Sequence, residues 1–125
     1  MTLVLDAGVF VSIERSDREL VALIKAERIS GNLPVTHGGV VGQVWRGGAR
    51  QANVARLLAG TEVIPLDGEL GRRTGVLLGR AEASDVIDAA LVLLAADGDL
   101  ILTSDPGDLR ELAAAAGLHV DLVPV

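Results

Sequence analysis

Three aspartates lie in or beside apolar segments, where a role in binding or catalysis explains a carboxylate better than a role in solubility does. Asp6 follows a short apolar run that predicts a strand at Leu3–Leu5. Asp105 comes soon after a second such run, at residues 100–102. Asp88 lies near the start of a predicted apolar helix, where an unpaired charge would be costly. Since the carboxyl edge of a parallel sheet is where open α/β folds hold their ligands, the pattern favours a site made of carboxylates.

Capping offers a structural alternative for some of these residues. Asp6 could cap the helix that follows it. Ser84 is a natural N-cap for the helix predicted at residues 84–96, and Asp85 suits the positive end of that helix. Asp88 lies one turn further in, on the face that it shares with Asp85, and is harder to explain as a cap. His37 is a weak metal candidate, because a lone histidine at a strand end is more often a turn residue or a hydrogen-bonding cap.

Strands alternate with helices along the whole chain, which predicts a mostly parallel sheet covered by helices on both faces. The length of 125 residues, half of them hydrophobic, suits one domain, residues 1–125, with one core. The fold class is therefore α/β, a three-layer α/β/α sandwich. Strands are predicted at residues 3–5, 33–36, 62–66, 100–102 and 118–123, and helices at 7–11, 17–29, 40–45, 51–58, 67–79, 84–96 and 109–116.

Right-handed crossovers would place the first strand beside the strand at 100–102, so that Asp6 and Asp105 meet and Asp88 faces them. Carboxylates that converge without a basic neighbour repel each other, and a divalent cation is the usual reason for such a cluster. Oxygen ligands without cysteine or paired histidine select Mg²⁺ or Mn²⁺ over Zn²⁺. Such an ion would activate a water molecule and stabilise the charge that develops on a phosphodiester under attack.

Composition narrows the classes of function. The sequence has no cysteine, which excludes disulfides and thiolate metal sites and suits a reducing cytoplasm. The apolar runs are too short for a bilayer and the N-terminus lacks the basic region of a signal peptide, so we expect a soluble, cytoplasmic protein without a membrane partner. One Phe, one Trp and no Tyr leave little scope for base stacking.

The net charge of −6 is unevenly distributed. Residues 46–80 hold six arginines and three acids, whereas residues 82–125 hold nine acids and a single arginine. An acidic pole that needs cations, beside an arginine-bearing segment that could hold phosphates, fits a metal-dependent nuclease. Arg46 and Arg50 are the candidates for phosphate contact, and a solvated surface is the alternative interpretation of each.

The ordered combination of acidic motifs resembles that of PIN domains, in particular of the VapC-type toxins of bacterial toxin–antitoxin pairs. The resemblance covers essentially the whole chain, in length, element order and motif spacing. It is carried by Asp6 after Leu3-Val4-Leu5, by Asp88 in Asp-Ala-Ala-Leu-Val, and by the run Thr103-Ser104-Asp105-Pro106-Gly107-Asp108-Leu109.

The resemblance implies a Rossmann-like α/β/α fold and a Mg²⁺- or Mn²⁺-dependent endoribonuclease. Such proteins are usually homodimers, and a cognate antitoxin holds them inactive by inserting a segment near the site. The roles implied for this chain are metal ligation by Asp6, Asp88 and Asp105, a further acid at Asp108 acting directly or through water, an auxiliary acid at Asp85, and orientation of Asp105 or of the attacking water by Thr103 and Ser104.

One position departs from the family pattern. The second acid, usually a glutamate on the helix after the second strand, corresponds here to Gln43. A glutamine carbonyl can coordinate Mg²⁺, but it carries no charge and cannot act as a base. Asp85 is the residue expected to compensate. Two alternatives stay open: a catalytically degenerate binding or regulatory module, and a phosphoacceptor domain, against which the only lysine, Lys25, falls in an early helix.

Overall fold

A five-stranded, all-parallel sheet forms the centre of the protein, in a computed structural model that describes residues 1–125. The prediction of an α/β fold with a mostly parallel sheet is confirmed. Along the sheet the strand order is β3-β2-β1-β4-β5. The strands are β1 (Leu3–Leu5), β2 (Val35–His37), β3 (Glu62–Ile64), β4 (Leu100–Thr103) and β5 (Asp121–Pro124).

Seven helices cover the two faces of this sheet. They are α1 (Ala7–Glu14), α2 (Arg18–Ile29), α3 (Gly38–Val44), α4 (Ala52–Ala59, preceded by a 3₁₀ turn at Ala49–Gln51), α5 (Gly68–Ala81), α6 (Val86–Leu93) and α7 (Pro106–Ala116). Helix α1 contacts α2, α3 and α4, whereas α5, α6 and α7 contact one another, as expected of two helical layers. None of the helices combines the length and the hydropathy that crossing a membrane requires.

The central position of β1 and β4 in the sheet explains why their sequences do not alternate between apolar and polar residues. All three residues of β1 are buried, and so are Ile101 and Leu102 of β4, because helices cover both faces of the sheet. Phe10 on α1 and Leu91 on α6 are fully buried members of the same core. Burial of one such side chain contributes roughly 1.5–3 kcal/mol, so this core holds β1 and β4 in register.

That register positions the candidate site. The chain starts at β1, adds β2 and β3 on one side, and then crosses to add β4 and β5 on the other. Leu5 pairs with Leu102, and the backbone N–H of Asp6 donates to Leu102 O at 3.0 Å. The residues that follow β1 and β4 therefore meet at the switch point of the sheet, which is the usual ligand crevice of this architecture.

Several predicted boundaries were wrong by a few residues. Helix α6 is shorter than predicted, and Asp85 rather than Ser84 is its N-cap, because the Asp85 side chain accepts the N–H of Asp88 at 3.0 Å. Helix α7 begins at Pro106 instead of residue 109, since proline is well suited to a first helical turn. Strand β5 covers four residues and β3 three, so both edge strands are shorter than the apolar runs that predicted them.

Candidate metal centre

Three carboxylates converge at the switch point. One oxygen from each of Asp88, Asp105 and Asp108 lies within 4.8 Å of the other two. Asp88 is in the first turn of α6 and is partly buried, whereas Asp105 and Asp108 are exposed at the start of α7. The fold thus brings together residues that are 20 positions apart in the chain, and this acidic cluster could bind a metal ion.

Asp105 occupies a capping position without capping. It is the N-cap residue of α7, yet its side chain makes no hydrogen bond to the helix, whereas Asp17, Asp67 and Asp85 each accept an N–H from the helix they precede. Its carboxylate is therefore free to face the cluster. Asp108 lies three residues later in the first turn of α7, so that the helical repeat returns it to the same side as Asp105.

Asp6 is close to the cluster but its oxygens are already engaged. Asp6 is buried, its Oδ1 accepts the N–H of Ala7 at 2.7 Å, and its Oδ2 accepts the hydroxyl proton of Thr103 at 2.6 Å. The Thr103 oxygen in turn accepts the N–H of Asp105 at 2.9 Å. Asp6 is thus joined to Asp105 through Thr103, and its expected role as a direct metal ligand stays a prediction.

Repulsion within this group is visible in two pKa values. Burial, followed by the charges of Asp85, Asp6, Asp105 and Asp108, raises the pKa of Asp88 from 3.8 to about 7. A hydrogen bond with Asp105, followed by the charge of Asp105, raises the pKa of Asp108. The charges that raise these two pKa values are all those of other carboxylates, so none of them neutralises the cluster.

The donor set fits a divalent cation. Carboxylate oxygens are the ligands that Mg²⁺, Mn²⁺ and Ca²⁺ prefer, and three of them within reach of one point match the partial coordination shell that such ions accept from proteins. A dication would also remove the repulsion that raises the pKa of Asp88. The residues present therefore suit the ion class that the sequence predicts.

The remaining candidates lie around this cluster in different ways. Asp85 lies close enough to raise the pKa of Asp88, but its side chain caps α6. The third carboxylate of the cluster is that of Asp108, whereas the sequence predicted Asp6 beside Asp88 and Asp105. Ser104 is exposed and lies against α1, because a side-chain carbon built on Gly8 would lie 2.7 Å from Ser104 Oγ. Gln43 is exposed on α3 and makes no hydrogen bond to any of the aspartates, so its part in the site stays a prediction.

The two arginines predicted to contact phosphates differ in whether their guanidinium groups already make hydrogen bonds within the protein. The Arg46 guanidinium donates to the carbonyl oxygens of Gly42 and Trp45, at 3.0 and 2.7 Å, and so satisfies the end of α3. Arg50 is exposed on the 3₁₀ turn. The loop between them is ordered by a residue that the sequence did not single out: the buried Gln51 side chain accepts the N–H groups of both Arg46 and Gly47.

A second surface feature lies on the layer that contains α2 and α4. It is a groove of about 640 Å³ whose lining includes four cations and no acid, although the protein as a whole is acidic. Apolar side chains, among them Val21 and Leu57, complete the lining. The cations, which define what we call the basic groove, are Arg18, Lys25, Arg28 and Arg56.

Comparison with protein-family models and with curated proteins gives no match for this chain.

Proposed function

We propose that the protein is a Mg²⁺- or Mn²⁺-dependent endoribonuclease of the PIN type, resembling VapC toxins and acting in the cytoplasm. The observation that supports this most is the convergence of Asp88, Asp105 and Asp108 within 4.8 Å at the switch point, where neighbouring carboxylates raise the pKa values of Asp88 and Asp108. Carboxylates that serve only stability normally form an ion pair or cap a helix, and the side chains of these three do neither.

In this proposal the three clustered aspartates hold the ion. When bound, a divalent cation supplies an activated water and stabilises the charge that develops on the phosphodiester. Asp88 and Asp108, whose pKa values are raised, must release their protons before they can bind a cation, so metal binding strengthens as the pH rises towards neutrality and above. Thr103 fixes the geometry, because its hydroxyl joins the Asp6 carboxylate to the backbone of Asp105.

The experiment that tests this proposal pairs metal binding with cleavage. We expect calorimetry to detect Mn²⁺ binding, and single-stranded RNA to be cut only when Mg²⁺ or Mn²⁺ is present. Asp105→Asn should abolish both, whereas the matched control Asp121→Asn, at an exposed carboxylate on the edge strand β5, should leave both unchanged. Full cleavage by the Asp105→Asn protein would contradict the assignment.

We propose that arginines outside the acidic cluster hold the RNA phosphates. Arg50 is the better candidate of the two named from the sequence, because Arg46 already donates to two carbonyl groups of its own helix end. Arg50→Gln should therefore weaken RNA binding more than Arg46→Gln, and by an amount that shrinks as salt is added.

The partners are a second copy of the chain and an antitoxin. The resemblance implies that one segment of the antitoxin lies near the site, and we propose that another part of it binds the basic groove. The groove lining combines apolar side chains with four cations and no acid, which is complementary to an amphipathic helix that carries acidic side chains. Arg56→Glu should weaken capture of a co-expressed antitoxin without changing Mn²⁺ binding. A complex of unchanged salt dependence in this variant would place the antitoxin elsewhere.

A degenerate PIN-fold binding module is the second candidate, favoured by the uncharged Gln43 in place of a glutamate. That function predicts neither metal binding nor metal-stimulated RNA cleavage by the unmodified protein. A phosphoacceptor domain is the weakest candidate, because the only lysine, Lys25, lines the basic groove on α2 rather than the acidic cluster. Acid-labile phosphate on an aspartate would be its signature.

A further inference from the structure

His37, at the end of β2, is fully buried and both of its ring nitrogens are engaged. Nδ1 accepts the N–H of Gly39 at 3.0 Å and so caps α3. Nε2 lies 2.9 Å from the carbonyl oxygen of Ile87 in α6. Because Nδ1 is an acceptor, the ring proton of a neutral histidine must be on Nε2, which therefore donates to Ile87. Burial lowers the pKa of His37, which favours this neutral form.

The imidazole ring of His37 is tightly packed on the side of Gly39 and Ile87. A side-chain carbon built on Gly39 would overlap Ile87 Cδ1 and would lie 2.8 Å from His37 Cε1. The first turn of α3, the imidazole ring and the first turn of α6 are therefore in direct contact. Helix α6 also contacts β2 itself, so this junction connects the helix to the strand from which His37 projects.

The residue after Ile87 is Asp88, which is repelled by four other carboxylates. A small outward movement of the first turn of α6 would relieve that repulsion and would take Asp88 out of reach of Asp105 and Asp108. The Asp85 cap does not oppose such a movement, because it lies within the same end of α6 and would move with it. The hydrogen bond from His37 does oppose it, since this bond joins α6 to the sheet.

We propose that His37 is a positioning residue: its Nε2–H bond to the Ile87 carbonyl holds the first turn of α6 against the repulsion among the aspartates, and thereby keeps Asp88 within the acidic cluster. The inference depends on the proposed function only in that the cluster is taken to bind a cation. Its structural part concerns the protein without metal.

Two substitutions at His37 each remove one of its two hydrogen bonds and keep the other. The amide of asparagine reaches about as far as Nδ1, so His37→Asn retains an acceptor for Gly39 but loses the donor to Ile87. The amide of glutamine reaches about as far as Nε2, so His37→Gln retains that donor and loses the cap. We expect His37→Asn to lower Mn²⁺ affinity by about 10-fold or more, as removal of other groups that orient metal ligands does. His37→Gln should keep the affinity within about 3-fold of wild type, even where its stability falls.

A second measurement needs no metal. Amide hydrogen exchange in α6 should accelerate in His37→Asn and remain near the wild-type rate in His37→Gln. Val54→Ala, which opens a buried site on α4, controls for general loss of stability and should leave Mn²⁺ affinity unchanged.

The outcomes are distinguishable. Wild-type Mn²⁺ affinity in His37→Asn, or equal losses in the asparagine and glutamine variants, would overturn the positioning role. So would a ¹⁵N spectrum of the wild type that places the ring proton on Nδ1. If the wild type itself binds no Mn²⁺, the proposed nuclease fails, and the exchange rates of the metal-free proteins still decide whether His37 holds α6.

Discussion

Replacing Asp88 by asparagine removes one charge from the acidic cluster and leaves the shape of the side chain almost unchanged. The Asp88 side chain makes no hydrogen bond, and the bond from its backbone N–H to Asp85 survives the substitution. The change in stability therefore reports the electrostatic cost of the carboxylate. Because burial and four neighbouring carboxylates raise the pKa of Asp88 to about 7, we expect the asparagine variant to be more stable than the wild type at neutral pH.

The pH dependence follows from the sign of the shift. Between its ordinary value of 3.8 and about 7, Asp88 holds a proton in the folded state that it has lost in the unfolded state. The free energy of unfolding of the wild type therefore falls as the pH rises through this window. Without screening by water, the raised pKa would correspond to roughly 4 kcal/mol. Since Asp88 is only partly buried and water screens its neighbours, we expect about 1–2 kcal/mol.

The assay is guanidinium unfolding of both proteins without metal, from about pH 4 to pH 8. The two should be equally stable at the acid end, and the asparagine variant should gain its full advantage above pH 7. Adding Mn²⁺ should reverse the order, because the ion stabilises the wild type by binding its folded state. An advantage of the variant that is the same at all pH values would refute the electrostatic explanation, and no advantage at any pH would show that Asp88 is not strained by its neighbours.

Two further predictions concern residues beside the cluster. Thr103→Val should lower the free energy of unfolding by about 1–3 kcal/mol, because it leaves both Asp6 Oδ2 and the Asp105 N–H without a partner. Thr74→Val is its control, since the Thr74 hydroxyl is buried without any hydrogen bond, and urea unfolding should find that variant as stable as the wild type or more so. Gln43→Glu should tighten Mn²⁺ binding by supplying a negative charge, if Gln43 belongs to the proposed site as the resemblance to PIN domains implies, and an unchanged calorimetric affinity would place Gln43 outside the site.

The position of the site was predictable because it depends on topology. Short apolar runs indicated the strands that became β1 and β4, and the right-handedness of crossovers was enough to place these two side by side. Asp6 and Asp105, which follow those strands, were therefore expected at one edge of the sheet. Each was correctly placed without knowledge of any side-chain contact.

Which carboxylates form the cluster was less predictable, because this depends on the hydrogen bonds that each side chain makes locally. Asp6 is expected to bind the ion, and this stays a prediction; its two oxygens accept hydrogen bonds from Ala7 and Thr103, which the sequence did not indicate. Asp108 lies in the cluster because α7 starts at Pro106, earlier than its apolar pattern indicated. Ser84 and Asp85 are both good caps in sequence terms, and only the reach of the Asp85 carboxylate to the N–H of Asp88 decides between them.

The distribution of aspartates is itself an argument for function. A chain selected for stability alone would place its acids at caps, where they stabilise a helix end, as Asp17 and Asp67 do here. Asp105 stands at such a position and does not cap, while Asp88 is partly buried among like charges at a cost to the folded state. Local choices that oppose stability are expected where a site requires them. Restoring the cap by a substitution at Asp105 that bonds to α7, such as Asp105→Ser, should therefore raise the free energy of unfolding while removing Mn²⁺ binding, and a variant that gained stability with its Mn²⁺ affinity intact would show that Asp105 is not needed to hold the ion.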